Sequence, residues 1–358
     1  MFVGFRDREL VRRAASEIAK RAGSRGFRIM HVCGTHEWSI THFGLREMLP
    51  ANVKVVAGPG CPVCVTPGAE IDAVAELAAR RKAVVTTFGD VLRVPGARSS
   101  LAEAKAAGGD VRVVYSVTDA VQMARAEPDK EFVHFSIGFE TTAPMSAVEL
   151  IKGPPKNFSI YSSHKLIPPA MEFLLGSGAG IDGFICPGHV STIIGARAYE
   201  PIASKYGKPM VISGFEPLDV ISGILNIVTQ VVSGRAAVDN EYTRAVRVEG
   251  NEIAMGAISK VFEPCDSFWR GIGAIRGSGM RVRGVYREHD ACARHGIEGG
   301  ADEGMPEGCG CGDVLVGRME PEGCPLFGKS CTPARPVGPC MVSSEGTCAI
   351  AFKYRKVR

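Results

Sequence analysis

The chain has 358 residues, a formal net charge of +4, and 45% apolar against 22% charged side chains. That length makes two or three domains, the composition excludes wholesale disorder, and so small a net charge gives no footing for binding nucleic acid or a membrane surface. Residues 1–20 are studded with Arg, Asp, Glu and Lys and lack the apolar centre of an export signal. The most apolar long stretch, 220–232, is interrupted by Ser222, Asn226, Thr229 and Gln230, and it is too short to span a bilayer. A cytoplasmic protein is expected, and in that reducing compartment the twelve cysteines read as metal ligands or redox thiols rather than structural disulfides.

Between about residues 26 and 232, short β-branched runs alternate with helical patterns, the mark of βαβ units and a parallel sheet. Strands are expected at 28–32, 53–57, 83–87, 111–115, 132–137, 158–161, 183–185 and 210–213, and helices at 70–81, 118–126, 168–176 and 193–206. The fold class is α/β: two Rossmann-like parallel-sheet modules, at 1–125 and 126–235, followed by a Gly/Pro/Cys-rich C-terminal domain at 236–358. A faint echo relates 53–90 to 183–219, since each runs strand, Cys-containing Gly/Pro loop, helix, strand. Duplication and convergence both account for it. Six cysteines, Cys309, Cys311, Cys324, Cys331, Cys340 and Cys348, fall in the last fifty residues. From 299 to 346 there is hardly an apolar run, so this tract is expected to lack a core of its own and to be ordered by something other than burial.

In a parallel sheet, function gathers at the carboxyl ends of the strands, and three groups of residues fall there. Cys33-Gly34-Thr35-His36-Glu37 follows the first strand. A capped helix with a buried Cys explains it blandly; a soft sulfur with an imidazole three residues on suits iron or zinc, although one or two ligands do not close a site. Gly58-Pro59-Gly60-Cys61-Pro62-Val63-Cys64 lies between a strand and a helix read as capped by Thr66, with Pro67 in its first turn. A Cys-x-x-Cys at a helix N-terminus has a lowered thiol pKa and exchanges disulfides near neutral pH. The competing reading is half of a zinc site, but the chain has no second Cys-x-x-Cys. The third group brings Glu140 in Gly138-Phe139-Glu140-Thr141-Thr142-Ala143-Pro144, His164, His189 in Pro187-Gly188-His189-Val190-Ser191, and Gly214-Phe215-Glu216-Pro217 with Asp219 to the same rim. Together they imply a polar cleft between modules, with no substrate legible.

The tail thiols, spread over Gly/Pro loops, suit an iron–sulfur cluster or a tetrahedral zinc, and spacing alone does not decide. A [4Fe–4S] cluster is favoured if Cys61 and Cys64 need electrons, because zinc has no redox chemistry. Residues 323–330 match the phosphate-loop pattern letter for letter, yet no strand leads in, and Pro333, Pro336 and Pro339 forbid the helix that must follow. His289, Cys292 and His295 have helical spacing but stand among Arg287, Glu288, Asp290 and Arg294, so a solvated surface is preferred to a metal site.

Taken together, the motifs at 33–37, 58–64, 138–144, 187–191 and 214–217, with the tail Met341-Val342-Ser343-Ser344-Glu345-Gly346-Thr347-Cys348, resemble the HypD family of hydrogenase maturation proteins over nearly the whole chain. The resemblance implies a redox-active assembly scaffold rather than a turnover enzyme, one that holds Fe(II) while two cyanides and one carbon monoxide are attached for [NiFe]-hydrogenase. It implies three partners: a small chaperone, HypC, with its own N-terminal cysteine; HypE, which donates cyanide from an enzyme-bound thiocyanate; and, indirectly, the hydrogenase large subunit. Carried over by motif, Cys33 is the iron-ligating thiolate with His36 close by, and Cys61 and Cys64 are the dithiol pair. A [4Fe–4S] cluster would be held by Cys324, Cys331 and Cys348, with Cys309 as fourth ligand and Cys311 and Cys340 as alternatives. The first motif ends Glu37-Trp38 where many relatives carry a further His, so no metal ligation is assigned beside Glu37. From another class, a free-standing iron–sulfur thiol/disulfide reductase needs Cys61 and Cys64 but not Cys33, and a purely structural reading makes the tail a zinc module.

Overall fold

A computed structural model describes residues 3–80, 82–297 and 304–355. Eleven strands are present among them: β1 Phe27–His31, β2 Val53–Ala57, β3 Val84–Thr87, β4 Val111–Val113, β5 Phe132–Gly138, β6 Phe158–His164, β7 Gly183–Cys186, β8 Met210–Ile212, β9 Val238–Asn240, β10 Phe262–Trp269 and β11 Gly273–Val282. They form a parallel sheet ordered β2-β1-β7-β8-β9, a second parallel sheet ordered β4-β3-β5-β6, and the antiparallel pair β10-β11. Most central strands read as continuous apolar runs because both faces are covered; every residue of β5 is buried.

The α/β class with parallel sheets is therefore as expected, but strand pairing does not follow a division at residue 125. β1 and β2 leave the first sheet, the chain builds the whole second sheet with β3 to β6, and β7 then returns beside β1. A cut at 125 separates β4 from β5 within one sheet, and a cut at 235 falls just before β9, which pairs with β8. The echo between 53–90 and 183–219 is not a topological repeat either: β2 and β3 lie in different sheets, whereas β7 and β8 are neighbours.

The expected helix 193–206 is broken. Gly188–Ile194 ends at Gly195, whose φ of +80° favours glycine and whose missing Cβ leaves room for the backbone of Val248 and Gly250 at 2.4 Å. The chain restarts as the short turn Arg197–Tyr199 and the helix Glu200–Tyr206. The expected helix 70–81 runs from Gly68 to Ala79, and residue 81 lies outside the described residues.

The tail has no core of its own. Cys311, Leu315, Cys331, Cys340, Met341 and Cys348 join the main apolar core with Met30 and Val56 of the first sheet and Cys61 and Cys64. At Gly317 a Cβ would stand 2.9 Å from both Met30 Cε and Val56 Cγ2. The hairpin β10-β11 lies along β6, with Leu166 N donating to Ser278 O at 2.8 Å. Residues 284–295 also dock there: His289 is buried, its Nδ1 is 2.8 Å from Phe158 O, and Asp290 bridges Ile160. The solvated surface expected for His289, Cys292 and His295 is thus a packing contact at His289, while the rejected phosphate loop is indeed followed by turns and not by a helix.

One close approach is demanding. A Cβ on Gly60 would lie 2.1 Å from Cys33 N and 2.3 Å from Val32 C, backbone atoms that cannot swing aside. Gly60→Ala is expected to lower stability by about 1–3 kcal/mol, read as a lower urea midpoint; an unchanged midpoint would show that the two loops are free to separate.

Candidate functional site

In the first sheet, β1 leads to β2 in one direction and β7 leads to β8 and β9 in the other, so the switch point lies between β1 and β7. Open α/β sheets place their crevice there, beyond the carboxyl ends of the strands. Along that edge, β2 is followed by Cys61 and Cys64, β1 by Cys33 and His36, β7 by His189, and β8 by Phe215. The residues expected from four separate motifs thus share one rim.

Cys61 and Cys64 are buried and joined as a disulfide, with Cα atoms 5.3 Å apart. Cys61 itself caps the short helix Pro62–Val65, its sulfur accepting from Cys64 N at 3.2 Å, with Pro62 in the first turn. The cap expected at Thr66 is displaced: Thr66 ends this helix, and its hydroxyl donates to Pro62 O at 2.9 Å.

Cys33 is the N-cap of the helix Gly34–His42. Gly34 N donates to Gly60 O at 3.3 Å, which draws the Cys33 turn against the dithiol loop. Burial, aided by the Glu345 carboxylate, pushes the Cys33 thiol up to about 11, against the Thr35 and His36 amides. His36 is completely buried, and its Nε2 donates to Gly214 O at 3.0 Å and Ser213 O at 3.2 Å. That fixes the proton on Nε2 and leaves Nδ1 as an acceptor with no hydrogen-bond partner. Burial holds this imidazole down to about 3, so it is neutral at physiological pH. Phe215 lies between His36 and His189, with ring centroids 4.9 Å and 4.1 Å away.

Glu37 has another role altogether. Its buried carboxylate receives His31 Nε2 at 2.8 Å, Arg46 at 2.6 and 3.0 Å, Thr41 Oγ1 at 2.8 Å and Arg355 at 3.2 Å. Burial opposes its charge, but Arg46 and His31 overcome that and hold it well below the usual carboxylate range. No lone pair is left over for a metal.

Glu140 stands apart from this rim, at the end of β5 and hence at the switch point of the second sheet. Its Oε1 accepts from Ile167 N at 3.0 Å, and its Oε2 is buried without a partner. Burial raises the carboxyl from 4.5 to about 7. Tyr199 connects the two regions: fully buried and 2.9 Å from Ser191 Oγ, it lies within electrostatic reach of Cys186, Glu140 and Cys33. Tyr199 had no sequence signal beyond a tyrosine in a helical pattern.

The six tail cysteines do converge. Cys311, Cys331, Cys340 and Cys348 are buried in one apolar cluster with Cys309 packed against it, and Cys324 lies within electrostatic reach of Cys348. Contact with Cys311 pushes the Cys309 and Cys340 thiols up. Burial opposes the Cys311 charge, but hydrogen bonds from Cys309 and Cys340 and the nearby Arg270 bring it down. Gly310 N and Val337 N donate to the Cys324 and Cys331 sulfurs, both at 3.3 Å. Among the described residues, no group of three or more His, Cys, Asp or Glu side chains stands in metal-holding geometry. The donor chemistry nevertheless fits an iron–sulfur cluster: an all-sulfur set, backbone N–H groups aimed at the sulfurs, and a buried guanidinium to offset negative charge. Arg270 was not legible as a site residue, because it lies in the β10-β11 turn, far in sequence from every thiol it serves.

The tail meets the dithiol directly. The turn Pro339–Met341, carrying Cys340, packs on the helix Pro62–Val65, and Arg270 N donates to Val65 O at 2.9 Å.

The Glu140 carboxyl ionises near 4.5 in the unfolded chain and near 7 in the fold, so the fold holds the extra proton between those values. Its contribution is complete below about pH 4.5, declines as pH rises, and is gone above about 7. In Glu140→Gln, the stability difference from the unsubstituted protein should change by about 3 kcal/mol between pH 4.5 and 8. Urea titrations at both pH values measure it, and parallel pH profiles would contradict the assignment.

No helix among the described residues is long and apolar enough to cross a membrane. Residues 9–355 match the family described as HypD: Hydrogenase formation hypA family. A protein of Methanocaldococcus jannaschii named for hydrogenase expression and formation is 49% identical over 359 residues, covering 99% of this chain and 100% of the relative. The Hydrogenase maturation factor HypD of Rhodobacter capsulatus is 44% identical over 368 residues (99% and 98%), and that of Rhizobium leguminosarum bv. viciae is 45% identical over 367 residues (99% and 95%). The chain belongs to the HypD family of hydrogenase maturation factors.

Proposed function

We propose that this chain holds a ferrous iron on Cys33 while cyanide and carbon monoxide are attached, with Cys61 and Cys64 as the electron source for cyanide release. The observation that carries the reading is the shared rim of the first sheet: the dithiol loop touches the Cys33 turn through Gly60, and the tail turn bearing Cys340 packs on the dithiol helix. A stand-alone reductase has no use for a thiol buried at the switch point beside the pair, whereas a scaffold needs one.

The iron is substrate here. Cys33 supplies the chain's thiolate, and the family resemblance supplies the second from the N-terminal cysteine of the chaperone HypC. Strong-field cyanide and carbonyl ligands favour low-spin ferrous iron, to which thiolate sulfur is a suitable soft donor. Neutral His36, with Nδ1 unprotonated, offers a lone pair on the Cys33 helix, and Phe215 packs between it and His189. Cyanide reaches the site as a thiocyanate on HypE. Two thiolates reduce it: one attacks the thiocyanate sulfur, breaking the S–C bond to release cyanide and form a mixed disulfide with HypE, and the second attacks that disulfide, closing Cys61–Cys64 and restoring the donor thiolate. Each cyanide therefore oxidises the pair once, and two cyanides require it to be reopened by two electrons each time. A [4Fe–4S] cluster bound among the tail thiols would pass those electrons on one at a time from an external one-electron donor. Cys324, Cys331 and Cys348 are its ligands by motif, with Cys309 fourth. Cys340 stands on the turn that packs on the dithiol helix.

Cys33→Ala should abolish hydrogenase maturation and remove the cyanide and carbonyl stretches from infrared spectra of the protein co-purified with HypC, while tail iron and the Cys61/Cys64 titration stay as in the unsubstituted chain. Normal maturation by that variant would refute the iron-holding role of Cys33.

A further inference from the structure

The helix Thr347–Tyr354 carries one of the tail thiols, Cys348, and packs on the helix that Cys33 caps. Three fastenings hold the segment 343–355 in place. At its start, Asp90 accepts from Ser343 Oγ at 3.1 Å and Ser344 N at 3.2 Å. In its middle, Glu345 sits against the first turn of the Cys33 helix: a Cβ on Gly34 would be 2.5 Å from both Cβ and O of Glu345. At its end, Tyr354 OH accepts from Trp38 Nε1 at 3.2 Å, and Arg355 reaches Glu37 at 3.2 Å, Glu320 at 2.8 Å and Glu322 at 3.1 Å.

Arg355 is the only one of these groups to touch both sides. Its side chain is 18% exposed, and one nitrogen serves a carboxylate of the Cys33 helix while the other serves two carboxylates that shortly precede Cys324. A guanidinium fork suits this division of labour and an ammonium does not. Glu37 does not need Arg355 for its own charge, since Arg46 and His31 already satisfy it. A second guanidinium at a carboxylate already paired with Arg46 points to a purpose other than neutralisation.

We propose that Arg355 is a positioning residue that straps the thiol-rich tail to the Cys33 helix, so that the order of one is transmitted to the other. The inference rests on the iron-holding reading of Cys33 for its functional meaning, but the strap itself is a property of the fold. Because Glu37 keeps Arg46 and His31, Arg355→Ala is expected to fold. Residues 34–42 should then exchange amide hydrogens on the order of tenfold faster, consistent with a locally weakened unit, while 132–138 in the second sheet keep their protection. Trp38 should become more accessible to acrylamide, and Trp269, fully buried, should not. The double variant Glu320→Gln, Glu322→Gln alters partly exposed side chains and releases only the tail side; it should loosen 320–324 and raise exchange in 34–42 by a smaller factor. Arg355→Lys should restore part of the protection. Equal exchange of 34–42 in the unsubstituted chain and in both variants would overturn the strap, as would a uniform rise across the whole protein. Missing cyanide and carbonyl bands in the unsubstituted complex would instead overturn the iron-holding reading, leaving the exchange result intact.

Discussion

Everything at the site depends on the in-register parallel pairing of β1 with β2. The two strands finish level, with His31 opposite Ala57, so the turns that follow emerge side by side. Gly60 then lets the second turn press its backbone against Cys33. Without a side chain at 60, the dithiol loop and the Cys33 helix share a floor; with one, they must part. Since every residue of the two strands except Arg28 and Lys54 is buried, the sulfurs inherit positions that loops alone would not define.

A second constraint acts on the tail. Its glycines and prolines cannot make a core, so it borrows one: Gly317 lies on Met30 and Val56, the Cys340 turn on the dithiol helix, and the last helix on the Cys33 helix. This packing sets its thiols next to the pair they are proposed to serve. Burial also sets the chemistry of the rim. It pushes the Cys33 thiol up to about 11 and holds His36 neutral.

How much of this was legible depended on range. Buried strands such as 53–57 announce themselves by composition, and the Cys61/Cys64 loop by its Gly and Pro. The insertion of one sheet within the other was hidden, because the pairing of β1 with β7 joins residues about 150 positions apart and leaves no local trace. β9 reads Val-Asp-Asn, half-buried at an edge, too polar and short to call a strand. The same applies to side chains. Cys33 and His36 share a turn, whereas Arg355 and Glu37 are 318 residues apart and look like unrelated surface charges. Glu37 adjoined a metal motif in the sequence, yet its contacts make it a structural anchor.

If the tail delivers electrons to the Cys61–Cys64 pair, a count of free thiols reveals it. Metal-replete and metal-stripped protein, each held anaerobically with the pair oxidised, would receive two reducing equivalents, followed by rapid alkylation and mass spectrometry of the peptide containing Cys61 and Cys64. The pair should open rapidly in the metal-replete protein and much more slowly after stripping. Equal rates in the two, or a pair that stays closed while the tail takes up the electrons, would contradict it.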